Sequence, residues 1–292
     1  MRTTSFGGLP DEVLAEVLWL ASDGGEELAW LCVQAAAVCS RWHVAVRLRV
    51  LPRLQRVVLT SLERHLNRTL HGGDRGPKAP AVAERPLAWS ASLQRLLDDC
   101  CSAHTLAAGE CYRLISDRTV RGVERWPARL RQLHFSHCAR LGDDGLECLL
   151  QRLNGPSVHT LTFFSGKFTV RAAQTIAARC PQLQHLALPY SLLDDEGLRA
   201  LAQLQCLTHL QLRGCEHITD AGVCHLTTVQ TLDLALCPQV TDRALLRLAR
   251  HGRLRELTLA YQRYNVWCSG RWTPCGVDSV QEAGVSVRFI DA

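Results

Sequence analysis

Apolar residues return along this chain with a fixed long period. The anchors are Leu106, Leu133, Leu161, Leu186, Leu210, Leu232 and Leu257, at intervals of 27, 28, 25, 24, 22 and 25 residues. A period of roughly 20–30 residues marks a stack of repeated supersecondary units, none of which buries its apolar face alone. Two residues beyond each anchor stands another small or apolar residue: Ala108, Phe135, Phe163, Leu188, Leu212, Leu234 and Leu259. Successive side chains of a strand point to opposite faces. The pattern therefore predicts one short strand per unit, with the anchor and its second partner inward and the residues between them outward.

Two further columns keep the same phase. Cys111, Cys138, Cys215 and Cys237 stand five residues after their anchors, and an acid follows at Asp117, Asp143, Asp195, Asp220 and Asp242. Each acid precedes a helical pattern in which apolar residues pair three apart: Val120 with Val123, Leu146 with Leu149, Leu198 with Leu201, Val223 with Leu226, and Leu245 with Leu248. A carboxylate at a helix start accepts from free N–H groups of the first turn, which reads the acid column as N-caps. The unit beginning at Leu161 lacks the cysteine and has Val170 in place of the acid; its helical side is expected to be irregular and its strand to survive. Residues 54–59 read as an atypical first strand and residues 285–290 as a closing strand, since an open stack must cover its end.

Outside the repeats the pattern changes. Three short helices are expected between positions 9 and 49. The first carries Pro10 at an N1-like position, Asp11 and Glu12 near the positive end of the helix dipole, and Leu14, Val17, Leu18 and Ala21 at helical spacing. Residues 71–86, rich in Gly, Pro and charge, read as a linker or long insertion. Residues 261–284 hold Tyr264, Trp267 and Trp272 without the repeat pattern, and read as a loop folded over the end of the stack.

Composition narrows the class. Of 292 residues, 47% are hydrophobic and 21% charged, a globular balance. The net charge of +5 is spread along the chain, whereas nucleic-acid binding needs basic residues gathered on one face; no nucleic-acid partner is expected. The weakly polar stretch at 28–38 is too short to span a bilayer, so no membrane insertion is expected. Asp11, Glu12 and Glu16 interrupt any signal-peptide core, so the fourteen cysteines are expected as reduced thiols in the cytosol or nucleus. No C-x-x-C, P-loop, G-x-S-x-G or H-E-x-x-H occurs. His134, His137 and Cys138, and Cys268 with Cys275, are the weak candidates for zinc; buried thiols packing as small hydrophobes explain most of the cysteines better. Neither cofactor nor metal is expected.

Two stretches together carry a family resemblance. Leu9-Pro10-Asp11-Glu12-Val13-Leu14, followed by Val38-Cys39-Ser40-Arg41-Trp42, resembles an F-box, and the units at 210–226 and 232–249 resemble the cysteine-containing leucine-rich repeats found behind F-boxes. The spacing between the F-box halves is several residues longer than usual, with the extra residues around 22–27. The resemblance implies an α/β chain with a small helical F-box at 7–50, a connecting segment at 51–86 and a leucine-rich-repeat solenoid, or horseshoe, at 87–292. In that family the F-box binds the Skp adaptor of an SCF ubiquitin ligase, and through it the cullin–RING assembly, while the repeats hold a protein substrate. By matching positions, Leu9, Pro10, Leu14, Val17, Leu18, Val38 and Trp42 form the Skp-binding face.

The substrate would meet the outward strand residues and their loops. His134, Phe164, His185, Tyr190, His209, Gln211, Arg213, Asp233 and Tyr261 are the expected contacts, with Pro189 also outward, and aromatic and arginine side chains are the strongest candidates for interface anchors. The competing classes are a repeat scaffold or assembly factor that never joins a ligase, and, more remotely, a hydrolase or metal enzyme. Fold alone does not separate them.

Overall fold

The structure is a computed structural model and describes residues 56–58, 93–94, 97–98, 100–108, 115–136, 138–250, 253–261 and 272–291. The helices expected between 9 and 49, with all seven candidate Skp contacts, and the segment 71–86 lie outside the described residues, as do Cys111, His137, Tyr264, Trp267 and Cys268.

Among the described residues, nine strands form one parallel sheet in chain order: β1 Arg56–Val58, β2 Thr105–Ala108, β3 Gln132–Phe135, β4 Thr160–Phe163, β5 His185–Ala187, β6 His209–Gln211, β7 Thr231–Asp233, β8 Glu256–Tyr261 and β9 Ser286–Asp291. A parallel neighbour requires a crossover, and from β2 onward helices supply it. These are α1 Asp117–Gly122, α2 Asp143–Arg152, α3 Val170–Arg179, α4 Asp195–Leu201, α5 Asp220–Val223, α6 Asp242–Arg250 and α7 Pro274–Glu282.

The register runs through the anchors. Leu106, Leu133, Leu161, Leu186, Leu210, Leu232 and Leu257 pair side by side across β2–β8, with Val57 and Val287 continuing the row onto β1 and β9. The first and closing strands expected at 54–59 and 285–290 are thus part of the sheet. The anchors, the apolar residues two positions on and the helical pairs are all buried in one continuous core. Removing a buried leucine from such a core costs about 2–5 kcal/mol.

The acid column does something other than cap its own helices. Each of its five aspartates is the first residue of its helix, and the cap is the residue before: Ser116 for α1, Gly142 for α2, Asp194 for α4 and Thr219 for α5. The carboxylates reach instead to the start of the next unit's helix. Asp143 accepts Thr169 N at 2.9 Å and Thr169 Oγ1 at 2.6 Å. Asp195 does the same with Thr219, at 2.8 and 2.6 Å, and Asp220 with Thr241, at 2.7 and 2.6 Å. Asp242 holds Thr273, at 2.6 and 2.7 Å, and Asp117 accepts Gly142 N at 2.8 Å. The threonine hydroxyl in turn accepts from the N–H two residues on at Arg171, Ala221 and Arg243, so each of these three rungs joins two helices and caps one. One rung is missing. Val170 has no carboxylate, and the next cap is Asp194, which accepts Gly197 N from its own helix at 2.9 Å. The expected irregularity breaks this ladder without breaking the helix, for α3 is a ten-residue helix.

The same unit reshapes the cysteine column. Cys138, Cys215 and Cys237 are buried, and each thiol donates to a main-chain carbonyl of an adjoining unit: Phe164 O at 3.2 Å, Leu188 O at 3.4 Å and Leu212 O at 3.2 Å. Gly166 and Ser191 occupy the column in the two units between. Over Gly166 the Phe168 ring fills the space: a Cβ on the glycine would lie 1.9 Å from Phe168 Cε2. That ring packs 5.4 Å from Phe163, which meets Phe135 edge-on at 5.6 Å. Ser191 is buried against Cys215, with Oγ 3.3 Å from Sγ. Burial pushes the Cys138, Cys180 and Cys237 thiols up to about 12 and raises Cys215 as well.

Of the stretch 261–284, expected as a loop, positions 261 and 272–284 belong to the stack, and 262–271 lie outside the described residues. Tyr261 ends β8, and α7 packs against α6 with its cap Thr273 held by Asp242. Thr273 stands sixteen residues after Leu257, whereas Thr219 and Thr241 stand nine after their anchors; the insertion hid the last repeat. Trp272 packs on Phe289 of β9 at 5.9 Å.

Candidate functional site

With helices on one face of the sheet, the outward strand residues form two rows on the other. Register places Thr105, Gln132, Thr160, His185, His209, Thr231, Glu256 and Ser286 in one, and Ala107, His134, Thr162, Ala187, Gln211, Asp233, Thr258 and Arg288 in the other. The rows are polar apart from two alanines, and most members are half-buried.

The sequence-predicted contacts separate into groups. His185 and His209 are brought together: their rings stack at 4.0 Å with 26° between planes, and His209 Nδ1 lies 2.8 Å from Thr208 Oγ1. Burial, and then the charge of His209, hold His185 below the usual histidine value. One strand further, Asp233 accepts Ala235 N at 2.9 Å and pairs with Arg213 at 3.4 Å. The Asp233 side chain is 13% exposed, and its burial raises the carboxyl above the ordinary aspartate value against the pull of these two partners. Gln211 is exposed between these groups. His134 lies apart on β3, with Nδ1 3.2 Å from Thr162 Oγ1. Phe164 follows β4, half-buried, with its carbonyl occupied by Cys138. Tyr261 sits at the far end of β8, paired in register with Asp291. Pro189, expected to face outward, lies beyond β5 and is buried, as is Ala187 at the end of that strand.

Tyr190 is held by a feature the periodicity did not reveal. The residue four after the anchor is left-handed in four consecutive units: Ser165 at φ 60°, Tyr190 at 57°, Gly214 at 70° and Leu236 at 61°. This is the bend at which the chain leaves the strand, and a side chain there costs about 1 kcal/mol relative to glycine. Gly214 is needed for a second reason, since a Cβ on it would lie 2.3 Å from Tyr190 Cδ1. The tyrosine thus rests on the next unit's bare turn, its main-chain N–H donating to Arg213 O at 2.7 Å. It remains 50% exposed, with Leu192 51% exposed beside it in sequence. An ordered, exposed aromatic beside an exposed leucine suits an interface anchor. Only the residue type marked Tyr190 in the sequence; Leu192 carried no signal.

No group of three or more His, Cys, Asp or Glu among the described residues is placed to hold a metal ion, and no helix among them is long and apolar enough to cross a membrane. Cys138 and His134, weighed for zinc, are engaged with main-chain carbonyls and with Thr162 respectively.

The family model described as Leucine Rich repeat matches residues 130–150, 203–223 and 225–249. The chain carries leucine-rich repeats. The matched segments are units that keep both the cysteine and the aspartate; the repeats containing Gly166, Val170 and Ser191 have the same fold but depart from the signature. Among solved structures, the chain is similar to one described as "Crystal structure of Rad7 and Elc1 complex in yeast". Identity is 16% and TM-score 0.44, over 92% of this chain and 79% of that one. It is also similar to an internalin (inlF) from Listeria monocytogenes, at 15% identity and TM-score 0.39, over 68% of this chain and 57% of that one. At such values neither likeness bears on function.

Proposed function

We propose that this chain is the substrate-recognition adaptor of an SCF-type ubiquitin ligase. Residues 7–50 form an F-box that docks a Skp adaptor through Leu9, Pro10, Leu14, Val17, Leu18, Val38 and Trp42, and so joins the cullin–RING assembly. The repeats that follow hold a protein substrate on the open sheet face. The observation that carries this reading is the two-part motif, LPDEVL at 9–14 and VCSRW at 38–42, standing ahead of leucine-rich repeats. In this arrangement the chain positions a target in the cytoplasm or nucleus and performs no chemistry itself; transfer belongs to the ubiquitin-conjugating enzyme held by the RING subunit, and no cofactor enters. The physical support is an open sheet face with Tyr190 and Leu192 about half exposed near it, since aromatic side chains are enriched where proteins bind one another.

The test is capture of recombinant Skp by the full chain, beside a Leu14→Asp/Trp42→Ala variant shown by circular dichroism to keep its fold. Capture by the wild type and its loss in the variant is the expected result. If the folded wild type captures no Skp, the ligase assignment fails and a repeat scaffold outside any ligase stands in its place.

A further inference from the structure

The imidazoles of His185 and His209, on β5 and β6, stack at 4.0 Å. Neither ring is bonded to a carboxylate among the described residues. The flanking strands present Thr160 and Thr162 from β4 and Thr231 from β7. The one acid on β7, Asp233, is engaged by Arg213 and by Ala235 N, and Glu256 on β8 pairs with Arg288 at 3.3 Å. Arg213 and Asp233 offset each other, as do Arg288 and Glu256, so the face has no net charge while the histidines are neutral. A proton on His185 places positive charge on a half-buried surface where no carboxylate among the described residues is bonded to the ring. An anionic group supplied from outside would complete that arrangement. Beyond the far end of β5 lie Tyr190, seated on Gly214, and Leu192, both about half exposed.

We propose that the open face over β5 and β6 takes an acidic peptide segment, with its carboxylates over His185 and His209 and an apolar side chain against Tyr190 and Leu192, and that proton uptake by the imidazoles tightens this binding as the medium acidifies. This rests on the reading of the open face as the substrate-holding surface and adds the chemistry of the substrate. It is independent of whether residues 7–50 bind Skp.

The experiment is fluorescence anisotropy of a labelled peptide of about ten residues, glutamates around a central leucine, titrated with the full chain at constant ionic strength at about pH 7.5 and about pH 6, where glutamate keeps its charge. Each proton taken up on binding strengthens affinity by at most about tenfold per pH unit, and a gain of at least about threefold over the interval is expected. A His185→Gln/His209→Gln variant, folded by circular dichroism, should lose the gain, and Tyr190→Ala should weaken binding at both pH values. The same peptide with glutamine for glutamate should show no gain. Equal affinity at the two pH values, a gain that persists in the double histidine variant, or no binding by the wild type at the lower pH overturns the proposal. Skp capture reports separately on the ligase reading, since the histidine variants leave residues 7–50 unchanged.

Discussion

Asp220 and Thr241 test how successive repeats are held together. Asp220→Ala removes the acceptor of an N–H at 2.7 Å and an O–H at 2.6 Å. A hydrogen bond to a charged group contributes about 1.5–3 kcal/mol. Both residues are half-buried, so water reaches the vacated donors and the lower end applies, giving about 3 kcal/mol for the two bonds together. Thr241→Val removes the hydroxyl's bond to Asp220 and also its cap on Arg243 N at 3.2 Å, a loss of about 1–2 kcal/mol. The double variant should cost less than the sum of the singles by about 1 kcal/mol, because the shared O–H···O bond is lost in each single variant. Urea titrations of the four proteins followed by far-ultraviolet circular dichroism provide the cycle. Equal denaturant slopes are required, since a repeat array whose units uncouple broadens its transition. An Asp220→Ala cost below about 0.5 kcal/mol, the level of an ordinary surface change, or strictly additive singles, would refute the ladder as an inter-repeat clamp.

Rebuilding the absent rung is the complementary test: Val170→Asp alone sets a carboxylate against Asp194 and destabilises, while Val170→Asp/Asp194→Thr recovers stability with a favourable coupling of about 1–3 kcal/mol in the same titration. Phe168→Ala empties the space above Gly166 and should cost about 3–5 kcal/mol; a loss under about 1 kcal/mol would mean that the chain collapses into the gap. Iodoacetamide on the native protein should modify the exposed Cys101 and Cys275 and spare Cys138, Cys180 and Cys237, whose thiols burial pushes to about 12; peptide mass spectrometry reads the sites, and equal labelling of Cys138 and Cys275 would contradict the packing. His185 is depressed in the folded protein and ordinary in the unfolded chain, so acid favours the unfolded state. Its contribution is present above the unfolded value near about 6.5 and is lost as the pH falls through the lower folded value. His185→Gln should therefore show a smaller drop in melting temperature than wild type between neutral and mildly acid pH, and an equal drop would remove His185 from the account.

The fold was legible because a solenoid is written locally. Each anchor buries against the same neighbours one unit away, so the spacing from Leu106 to Leu257 and the alternation about each anchor were enough to place seven strands and their inward faces. The structure adds Val57 and Val287 to the same row. The acid column was visible as a column, but its role was misassigned. A sequence shows that Asp220 precedes a helix; it does not show that stacking brings Thr241, twenty-one residues on, within 2.6 Å of the carboxylate. The last repeat was hidden for a related reason. Its insertion shifts the phase, yet Asp242 still finds Thr273, because contact between units depends on the stack and not on chain length.

The open face divides in the same way. Alternation placed the strand residues of the outward rows, though not Pro189 beyond β5, and register then made neighbours of His185 and His209, because adjacent units pair their anchors. What only the tertiary structure decided is the energetic state of those residues: which acids are already engaged, which ring is desolvated, and which turn is bare enough for Tyr190 to rest upon. Those properties belong to distances between units, and burial and charge act through space. Periodicity along a chain carries the scaffold, while the chemistry of its surface appears once the units are stacked.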